Sequence, residues 1–248
     1  MFIASPAQGW RKCCLQRCAS PNPGSIAERP DDQIVTMHDI FTRIFEVNHW
    51  RNDESRSGPT STLQRTENLR AALPRLIRKF DVKTLFDAPC GDMNWMREFL
   101  RASDVGYIGG DVVPPMIEHH KADPELSKRG TFLLIDLTRD PLPDADMLMA
   151  RDFLFHLSFE HTLAFMRNFA ASNIPYLLTT SHKNKGKFEN RDIKTGNWRM
   201  MDLFKPPYNF PADPIDQILD GKGDRFLYLW TRPQIADACD RFGYPEIG

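Results

Sequence analysis

Short apolar runs alternate along the middle of the chain with stretches whose apolar residues recur at helical spacing. The runs predict β-strands at 84–87, 105–110, 131–135, 145–150, 175–181 and 226–230. After the first run, Trp95, Met96, Phe99 and Leu100 are spaced to suit one face of a helix. Strands that alternate with helices in this way predict an α/β fold built on an open, mostly parallel sheet.

Capping residues mark the predicted helix starts. Asp31 and Asp32 are placed to favour the amino end of a first helix, and Thr66 to cap a second one that runs to Phe80. Three later helices are predicted to start at Pro114, Ser158 and Thr231.

The segment Thr84–Trp95 joins the first predicted strand to its helix. The apolar run reaches a carboxylate at Asp87, breaks at Pro89 and Gly91, and resumes at Trp95. In an open parallel sheet this turn lies at the carboxyl end of the first strand, where free backbone N–H groups and a helix amino end gather ligands. The turn is therefore a candidate ligand site.

Carboxylates recur at the ends of the next two predicted strands. Asp111 ends the second strand, 24 residues after Asp87. Asp136 comes directly after the third strand, 25 residues after Asp111. A strand and a returning helix occupy about this length. A ligand lying across the strand ends would meet all three side chains. The alternative is that aspartate follows each strand only because turns favour this residue.

Because Asp87, Asp111 and Asp136 end three successive strands in this order, residues 80 to 182 resemble the class I S-adenosylmethionine-dependent methyltransferases. The resemblance implies a Rossmann-like fold with a mostly parallel seven-stranded sheet, helices on both faces and an antiparallel pair at its far end. It also implies S-adenosyl-L-methionine as the cofactor. The chain departs from the family in the first turn, where Pro89 and Met93 stand at positions that are usually glycine and Gly91 remains.

The resemblance assigns cofactor contacts to each strand end. It gives the methionine portion to the first turn, the ribose to the second strand end and the adenine amine to the third. The matching residues are Asp87, Ala88, Cys90 and Gly91, then Asp111 and Val112, then Asp136 and Leu137, with Arg151 after the fourth strand. One ionised carboxylate can accept both hydroxyls of a ribose diol, in charge-assisted bonds about twice as strong as neutral ones. A sulfonium cation is also better tolerated beside carboxylates than beside bases.

A polar loop at 48–61 surrounds Trp50 and precedes the first strand. By analogy with amino-terminal extensions in the superfamily, it is expected to fold over the cofactor, with Trp50 covering the site. Arg56 and the backbone around Ser57 and Gly58 are then expected to bind the cofactor carboxylate. The alternative is a plain surface loop.

The segment after the fourth strand carries Asp152 and His156, and the fifth strand delivers His182 to the same edge. In class I methyltransferases the acceptor meets the methyl group at this segment. His156 is the predicted general base, because a neutral imidazole near pH 7 suits removal of a hydroxyl proton. Asp152 is expected to orient His156 or to contact the substrate, and His182 is the alternative base. The competing interpretation is that His156 is structural.

Two segments, one after the fourth strand and one after the fifth, bear on the acceptor class. The first lacks the Asn/Asp-Pro-Pro-Tyr pattern of enzymes that methylate amino groups, which favours a hydroxyl on a small molecule or a glycan. The second, at 182–199, carries six Lys or Arg against two acids. This basic loop is predicted either as a substrate-facing lid that favours an anionic group or as a solvated insertion.

The histidines show no regular metal-ligand spacing. His156 and His182 could bind a metal together with Asp152, but no metal site is predicted from this pattern. His119 and His120 fall on the helix predicted to start at Pro114, away from the strand ends, and are predicted at the surface.

The 248-residue chain has 41% hydrophobic and 26% charged residues and a net charge of −1. These values are typical of a globular protein, and the neutral balance argues against a nucleic-acid partner. No apolar run approaches the roughly 20 residues that span a bilayer, so no membrane partner is expected. Five cysteines without paired spacing favour a reducing compartment, and the predicted location is cytoplasmic.

The chain is predicted to hold one methyltransferase domain after a flexible tail. The tail, at 1–30, is basic and lacks acids before Glu28, and an organelle-targeting segment is the alternative. The domain would comprise a helical cap at 31–80, a cofactor-binding core at 81–182, and strands with a substrate loop at 183–248. These patterns leave the oligomeric state open.

Two other functions remain open from the sequence. A nicotinamide-dependent oxidoreductase has a similar sheet, but it needs a Gly-x-Gly-x-x-Gly turn, and Gly91 stands alone here. A non-catalytic binding or scaffold protein could keep the fold, and the altered turn glycines leave this alternative open. The intact Asp87, Asp111, Asp136 and His156 argue against it.

Overall fold

The computed structural model describes residues 35–221 and 223–243. The predicted tail at 1–30 and the helix-capping acids Asp31 and Asp32 lie outside the described residues. From Thr36 onward, the described residues form one compact unit. No helix in this part of the chain is both long enough and apolar enough to cross a membrane.

Seven strands form a single sheet in the described ranges. They are β1 Thr84–Asp87, β2 Gly106–Asp111, β3 Gly130–Leu134, β4 Met147–Ala150, β5 Tyr176–His182, β6 Asp216–Leu219 and β7 Arg225–Thr231. The order across the sheet is β3-β2-β1-β4-β5-β7-β6. The strands β1 to β5 are parallel, whereas β7 runs antiparallel to both of its neighbours. The predicted seven-stranded, mostly parallel sheet is therefore confirmed.

Helices cover both faces of this sheet, as predicted. Those described are α1 Met37–Glu46, α2 Glu67–Lys79, α3 Met96–Arg101, α4 Pro114–Ala122, α5 Leu126–Arg129, α6 Phe159–Ala171 and α7 Arg232–Asp240. One hydrophobic core joins α6 and α7 to one face of the sheet, and a second core joins α2, α3 and α4 to the other.

Adjacent residues of the central strands point to opposite faces of the sheet. Leu85 and Phe86 in β1 belong to different cores, as do Met149 and Ala150 in β4. All four side chains are fully buried. Strands buried on both faces show no polar alternation, which explains why the central strands appear in the sequence as continuous apolar runs.

The strand order reverses between β1 and β4. From β1 the chain continues to β2 and β3 on one side, and it then returns to β4 on the other side of β1. In an open α/β sheet, the loops that follow the two strands at such a point run in opposite directions. A crevice therefore forms between them at the carboxyl ends of the strands. The crevice therefore lies between the turn after Asp87 and the segment that begins at Arg151.

The helix starts largely match the prediction. Ser158 and Thr231 cap α6 and α7, each accepting a hydrogen bond from a backbone N–H of the first turn. The first helix begins later than predicted, at Met37, because Thr36 and Asp39 form a capping box immediately before it.

Two elements differ from the sequence-based prediction. The strand β6 is not predicted by the apolar pattern, because Ile218 is its one buried residue and the strand therefore contains no apolar run. Thr66 precedes α2 as predicted, but its hydroxyl donates to the carbonyl oxygen of Thr62 at 2.9 Å and does not cap the helix.

Candidate active site

A cavity of about 310 Å³ lies in the crevice at the carboxyl ends of β1, β2 and β4. Its polar lining comes from the turn after β1, the end of β2, the loop at 48–61, the segment after β4 and Arg225 at the start of β7. Eight aromatic rings also line the cavity, two of them being Trp95 and Phe153. The other six are together called the aromatic wall: Phe41, Phe45, Trp50, Phe155, His156 and Trp198.

Two residues with positive φ shape the turn after β1. Gly91 has a φ of 58° and Met93 a φ of 61°. Met93 stands where the family usually has glycine, and it adopts the left-handed conformation that glycine favours. A Cβ atom on Gly91 would lie 2.2 Å from the hydroxyl oxygen of Ser57. Both the backbone and the loop packed on it therefore require glycine at this position.

Asp111 fixes this turn from the end of β2. Its carboxylate accepts hydrogen bonds from the Gly91 N–H at 3.0 Å and from the Val113 N–H at 3.1 Å. Burial nevertheless raises the pKa of Asp111 to about 6. The second carboxylate of the predicted set thus lines the cavity in contact with the first turn.

Asp87 ends β1 beside the same cavity and is only 2% exposed. Burial raises the pKa of Asp87 to about 7, although the Tyr107 hydroxyl donates a hydrogen bond to it at 2.8 Å. An opposite charge within about 4–6 Å lowers a carboxyl pKa, so a cation would stabilise the ionised forms of Asp87 and Asp111. This part of the cavity therefore favours a positively charged ligand.

A histidine predicted at the surface supports the turn instead. His120 on α4 is 1% exposed, and its Nε2 lies 2.7 Å from the carbonyl oxygen of Gly91. Since a carbonyl oxygen only accepts, Nε2 carries the proton and donates it. The surface prediction is wrong because α4 packs against β3 and turns this ring inward, 5.1 Å from the ring of Phe132.

The loop at 48–61 is tied to the turn by a carboxylate that sequence reasoning missed. Asp92 accepts hydrogen bonds from the Ser55 hydroxyl at 3.1 Å and from the Arg56 N–H at 2.6 Å. It also accepts one from the Ser57 hydroxyl at 3.2 Å, which in turn accepts from the Asp92 N–H at 2.9 Å. These bonds form a clasp, and the loop is not a plain surface loop.

Removal of the clasp is expected to loosen this loop. In Asp92→Ala, amide hydrogen exchange within 48–61 should rise by at least about tenfold, because a hydrogen bond to a charged group contributes about 1.5–3 kcal/mol. Exchange monitored by mass spectrometry measures this. Asp53→Ala removes an exposed carboxylate of the same loop and should leave the exchange unchanged. Equal exchange in both variants would show that other contacts hold the loop.

Asp136 lies just after β3 at the same edge of the sheet but does not line the main cavity. Its carboxylate accepts from the Thr138 N–H at 3.0 Å and from the Thr138 hydroxyl at 2.7 Å. With Leu137 it lines a second space of about 20 Å³. The residues shared by the two spaces are Pro89, Asp111, Val112 and Phe153. The third carboxylate is therefore adjacent to the cavity and separated from it by shared lining residues.

A buried arginine network, made of Arg151, Asp152, Asp220 and Arg225, lies beyond the end of β4. Arg151 binds Asp220 through Nε at 3.0 Å and Nη2 at 3.1 Å, and Arg225 binds Asp220 at 2.5 Å and Asp152 at 2.6 Å. Burial raises the pKa of Asp152, but the guanidinium groups of Arg151 and Arg225 outweigh this effect and hold the pKa well below its usual range. Thr60 joins the network by donating to Asp152 at 2.7 Å, so the network also anchors the loop at 48–61.

His156 ends a short 3₁₀ turn after β4 and faces the cavity. Its Nδ1 lies 2.8 Å from the carbonyl oxygen of Asn197. Nδ1 therefore carries the proton, and Nε2 keeps its lone pair without a hydrogen-bond partner among the described residues. Burial lowers the pKa of His156 to about 4, so the ring is neutral near pH 7. A neutral imidazole with an open Nε2 can act as a proton acceptor.

Two expectations about the neighbours of His156 need correction. The carbonyl of Asn197 orients its ring, whereas Asp152 is held by the arginine network, so the orienting role predicted for Asp152 is wrong. Asp152 does line the cavity, and contact with a substrate remains a prediction. His182 does not line it, and its Nδ1 lies 3.2 Å from the carbonyl oxygen of Met201.

The basic loop at 182–199 supports the His156 segment. The Gly196 N–H donates to the carbonyl oxygen of His156 at 2.8 Å. Trp198 is the residue that this loop adds to the cavity lining, and its six Lys and Arg residues, all within the described ranges, lie outside the lining. The loop's charge therefore gives no support to an anionic acceptor group.

The structure brings twelve of the predicted site residues to one cavity: Trp50, Arg56, Ser57, Gly58, Asp87, Cys90, Gly91, Asp111, Val112, Arg151, Asp152 and His156. The other four lie in described segments outside its lining: Ala88, Asp136, Leu137 and His182. Across the described ranges, no group of three or more His, Cys, Asp or Glu side chains is placed to hold a metal ion.

Comparison with known proteins gives a fold match and no sequence match. No protein-family model matches the chain, and no curated protein matches its sequence. Among solved structures it is similar to human N-acetylserotonin methyltransferase in complex with SAM, with a TM-score of 0.52 and 13% identity over 79% of this chain and 59% of that one. The methyltransferase domain of bacterial CtHen1 gives a TM-score of 0.49 at 15% identity, over 67% of this chain and 98% of that domain. Mitomycin 7-O-methyltransferase MmcR gives a TM-score of 0.48 at 14% identity, over 77% of this chain and 68% of that one.

The strand order and the match to the human structure define the fold as that of the class I methyltransferases. The resemblance seen in the sequence is thus confirmed at the level of the fold. The chain spans 59% of the length of the human methyltransferase that it matches.

Proposed function

We propose that this protein is an S-adenosylmethionine-dependent methyltransferase that acts on a hydroxyl group. The observation that carries the proposal is a single cavity lined both by the carboxylates of Asp87 and Asp111 and by His156 with an open Nε2. The carboxylates suit a cationic ligand that bears a ribose diol, and the imidazole suits a hydroxyl acceptor. The human structure with this fold holds SAM, which supports the choice of cofactor.

The residues at the polar side of the cavity fit S-adenosylmethionine. Asp111 would accept the ribose hydroxyls, and Asp87 would face the positively charged methionine portion. The side chain of Arg56 lines the cavity and makes no hydrogen bond or ion pair with a described residue, so it would bind the carboxylate. When bound, the cofactor supplies an electrophilic methyl group on a sulfonium sulfur.

The adenine would lie toward Asp136. Val112 lines both the main cavity and the small space beside Asp136 and Leu137, so a ring placed against Val112 would direct its amine to the third carboxylate. Because Gly91 carries no Cβ, Ser57 can pack on the first turn, and the loop at 48–61 would close over the ligand there.

His156 is the proposed general base. Its Nε2 would take the acceptor proton as the acceptor oxygen bonds to the methyl carbon and the sulfur–methyl bond breaks. The products are a methyl ether and S-adenosylhomocysteine, and the imidazolium returns its proton to solvent. Because burial lowers the pKa of His156 to about 4, the base is already neutral at pH 7.

Cofactor binding is expected to release protons from Asp87 and Asp111. Burial raises their pKa values to about 7 and about 6 in the free protein, and the positive charges of the cofactor should lower both. At pH 6 we expect release of about one proton, with an affinity that rises from about pH 5 to 7 and then levels off. Calorimetry in buffers of different ionisation enthalpy measures this release.

S-adenosylhomocysteine is the matched control for that experiment, because it lacks the sulfonium charge. It should bind with release of fewer protons than S-adenosylmethionine. Proton uptake, or equal release with both ligands, would show that these carboxyl groups do not face the sulfonium.

Titration with S-adenosylmethionine and with NAD tests the proposed function. We expect one molecule of S-adenosylmethionine per chain and no binding of NAD. A methyl-labelled cofactor should then transfer its label to a hydroxylated acceptor. Binding of NAD in its place would favour an oxidoreductase, and binding of S-adenosylmethionine without transfer to any hydroxylated acceptor would favour a binding module.

A further inference from the structure

The aromatic wall surrounds His156 with other rings. The ring centroids of Trp50 and Phe155 lie 4.6 Å and 4.7 Å from that of His156. The ring of Trp198 lies 6.4 Å from that of Phe155, and Phe41 adds a further ring from α1. A molecule whose hydroxyl reaches Nε2 of His156 therefore meets aromatic surface.

Trp198 leaves much of its indole open. It is 55% exposed although it lines the cavity, and it meets the ring of Phe155 edge-on. Large aromatic side chains form stacked or edge-to-face pairs with other rings, with centroids about 4.5–7 Å apart. The open face of Trp198 is therefore suited to pair with a planar ring in the cavity.

Apart from Arg56 and the carboxylates assigned to the cofactor, few hydroxyl groups of the lining lack a hydrogen-bond partner. The hydroxyls of Ser57, Thr60 and Ser61 already bind residues of the clasp or of the arginine network. A sugar would place several hydroxyl groups against this lining, and burying them without partners is unfavourable. A planar apolar ring needs no such partners.

We infer that the methyl acceptor is a phenol, whose ring packs on Trp50, Phe155 and Trp198 and whose hydroxyl meets Nε2 of His156. This inference rests on the proposed methyltransferase function and narrows its acceptor from any hydroxylated small molecule or glycan to phenols. The phenol loses its proton to Nε2 and gains the methyl group at oxygen, which gives an aryl methyl ether and S-adenosylhomocysteine.

The low basicity of His156 favours the same class of acceptor. A phenol has a pKa of about 10, as in tyrosine, whereas a saturated alcohol is about as weak an acid as water, with a pKa of about 16. Burial lowers the pKa of His156 to about 4. The difference in pKa between His156 and a phenol is therefore much smaller than the difference between His156 and a sugar hydroxyl. Proton transfer is more effective when the two pKa values are closer.

Binding of 2-naphthol to the full chain loaded with S-adenosylhomocysteine tests the inference without turnover. By calorimetry, Trp198→Ala should weaken this binding by about tenfold, the upper end of what one aromatic pair contributes, and Trp198→Phe should retain most of it. Met200→Ala is the matched control, because Met200 is a neighbouring exposed apolar residue outside the cavity lining. It should leave the binding unchanged.

Turnover gives the second readout. With S-adenosylmethionine, kcat/KM for 2-naphthol should exceed that for decahydro-2-naphthol and for methyl α-glucopyranoside by at least about 100-fold, because both lack a ring hydroxyl of low pKa.

Three results would overturn the phenol inference: no binding of 2-naphthol, unchanged binding in Trp198→Ala, or equal use of the saturated alcohol or the glucoside. The loading step separates the two claims. If S-adenosylhomocysteine fails to bind, the proposed function itself fails; if it binds and 2-naphthol does not, the acceptor class alone is wrong.

Discussion

Replacement of His156 by glutamine is expected to lower kcat by about 100- to 10,000-fold, the usual contribution of a general base. Glutamine keeps a side-chain N–H that can donate to the carbonyl oxygen of Asn197, but its amide has no atom that accepts a proton near neutral pH. The polar side of the cavity, with Asp87 and Asp111, is unchanged in this variant. Affinity for S-adenosylmethionine should therefore stay the same.

The pH dependence of kcat identifies the group that this substitution removes. The pKa of His156 is lowered to about 4, and the neutral ring is the active form. Activity should therefore persist at neutral pH and fall as the pH drops through about 4, and His156→Gln should lack this limb. His182→Gln removes the alternative base, which lies outside the cavity, and should keep its kcat. The opposite pattern would assign the base to His182.

Replacement of Gly91 by alanine is expected to weaken S-adenosylmethionine binding by about 100-fold. An L-residue at a φ of 58° costs about 1–2 kcal/mol. The new Cβ would also lie 2.2 Å from the Ser57 hydroxyl, which must then give up hydrogen bonds with Asp92. The sum is about 3 kcal/mol, or roughly 100-fold in affinity if the turn must recover its shape to bind the ligand.

Two control variants separate the clash from the backbone effect. Gly186 has a φ of 69°, and a Cβ atom there would have no atom within 4 Å, so Gly186→Ala adds a similar backbone cost away from the cavity and should bind S-adenosylmethionine normally. Ser57→Gly combined with Gly91→Ala removes the clash and should recover part of the affinity. Normal binding in Gly91→Ala alone would mean that the turn does not contact the cofactor.

The sheet and much of the cavity could be predicted from the sequence because they depend on local patterns. Parallel strands place their carboxyl ends at one edge, so the residues that end them, such as Asp87 and Asp111, converge whatever the loops do. Capping residues such as Ser158 act within one helical turn. Each of these features is encoded within a few residues of the element that it defines.

The contacts that fix side-chain roles could not be predicted in the same way. His156 is oriented by a carbonyl 41 residues further along the chain, and Ser55 binds a carboxylate 37 residues away. The inward orientation of His120 depends on which side of α4 meets β3. Asp92, next to Gly91 in the turn, is the one sequence clue to the clasp, because a second acid beside the turn glycine can accept backbone N–H groups.

A crystal structure of the protein with S-adenosylhomocysteine tests most directly whether the carboxyl-end crevice is a cofactor site that faces a base. We expect the ribose hydroxyls on the carboxylate of Asp111, the amino-acid portion beside Asp87 and Gly91, and the sulfur on the side of the cavity that holds Nε2 of His156. A nucleoside bound elsewhere, or bound here with Nε2 of His156 shielded from the sulfur by protein, would contradict this arrangement.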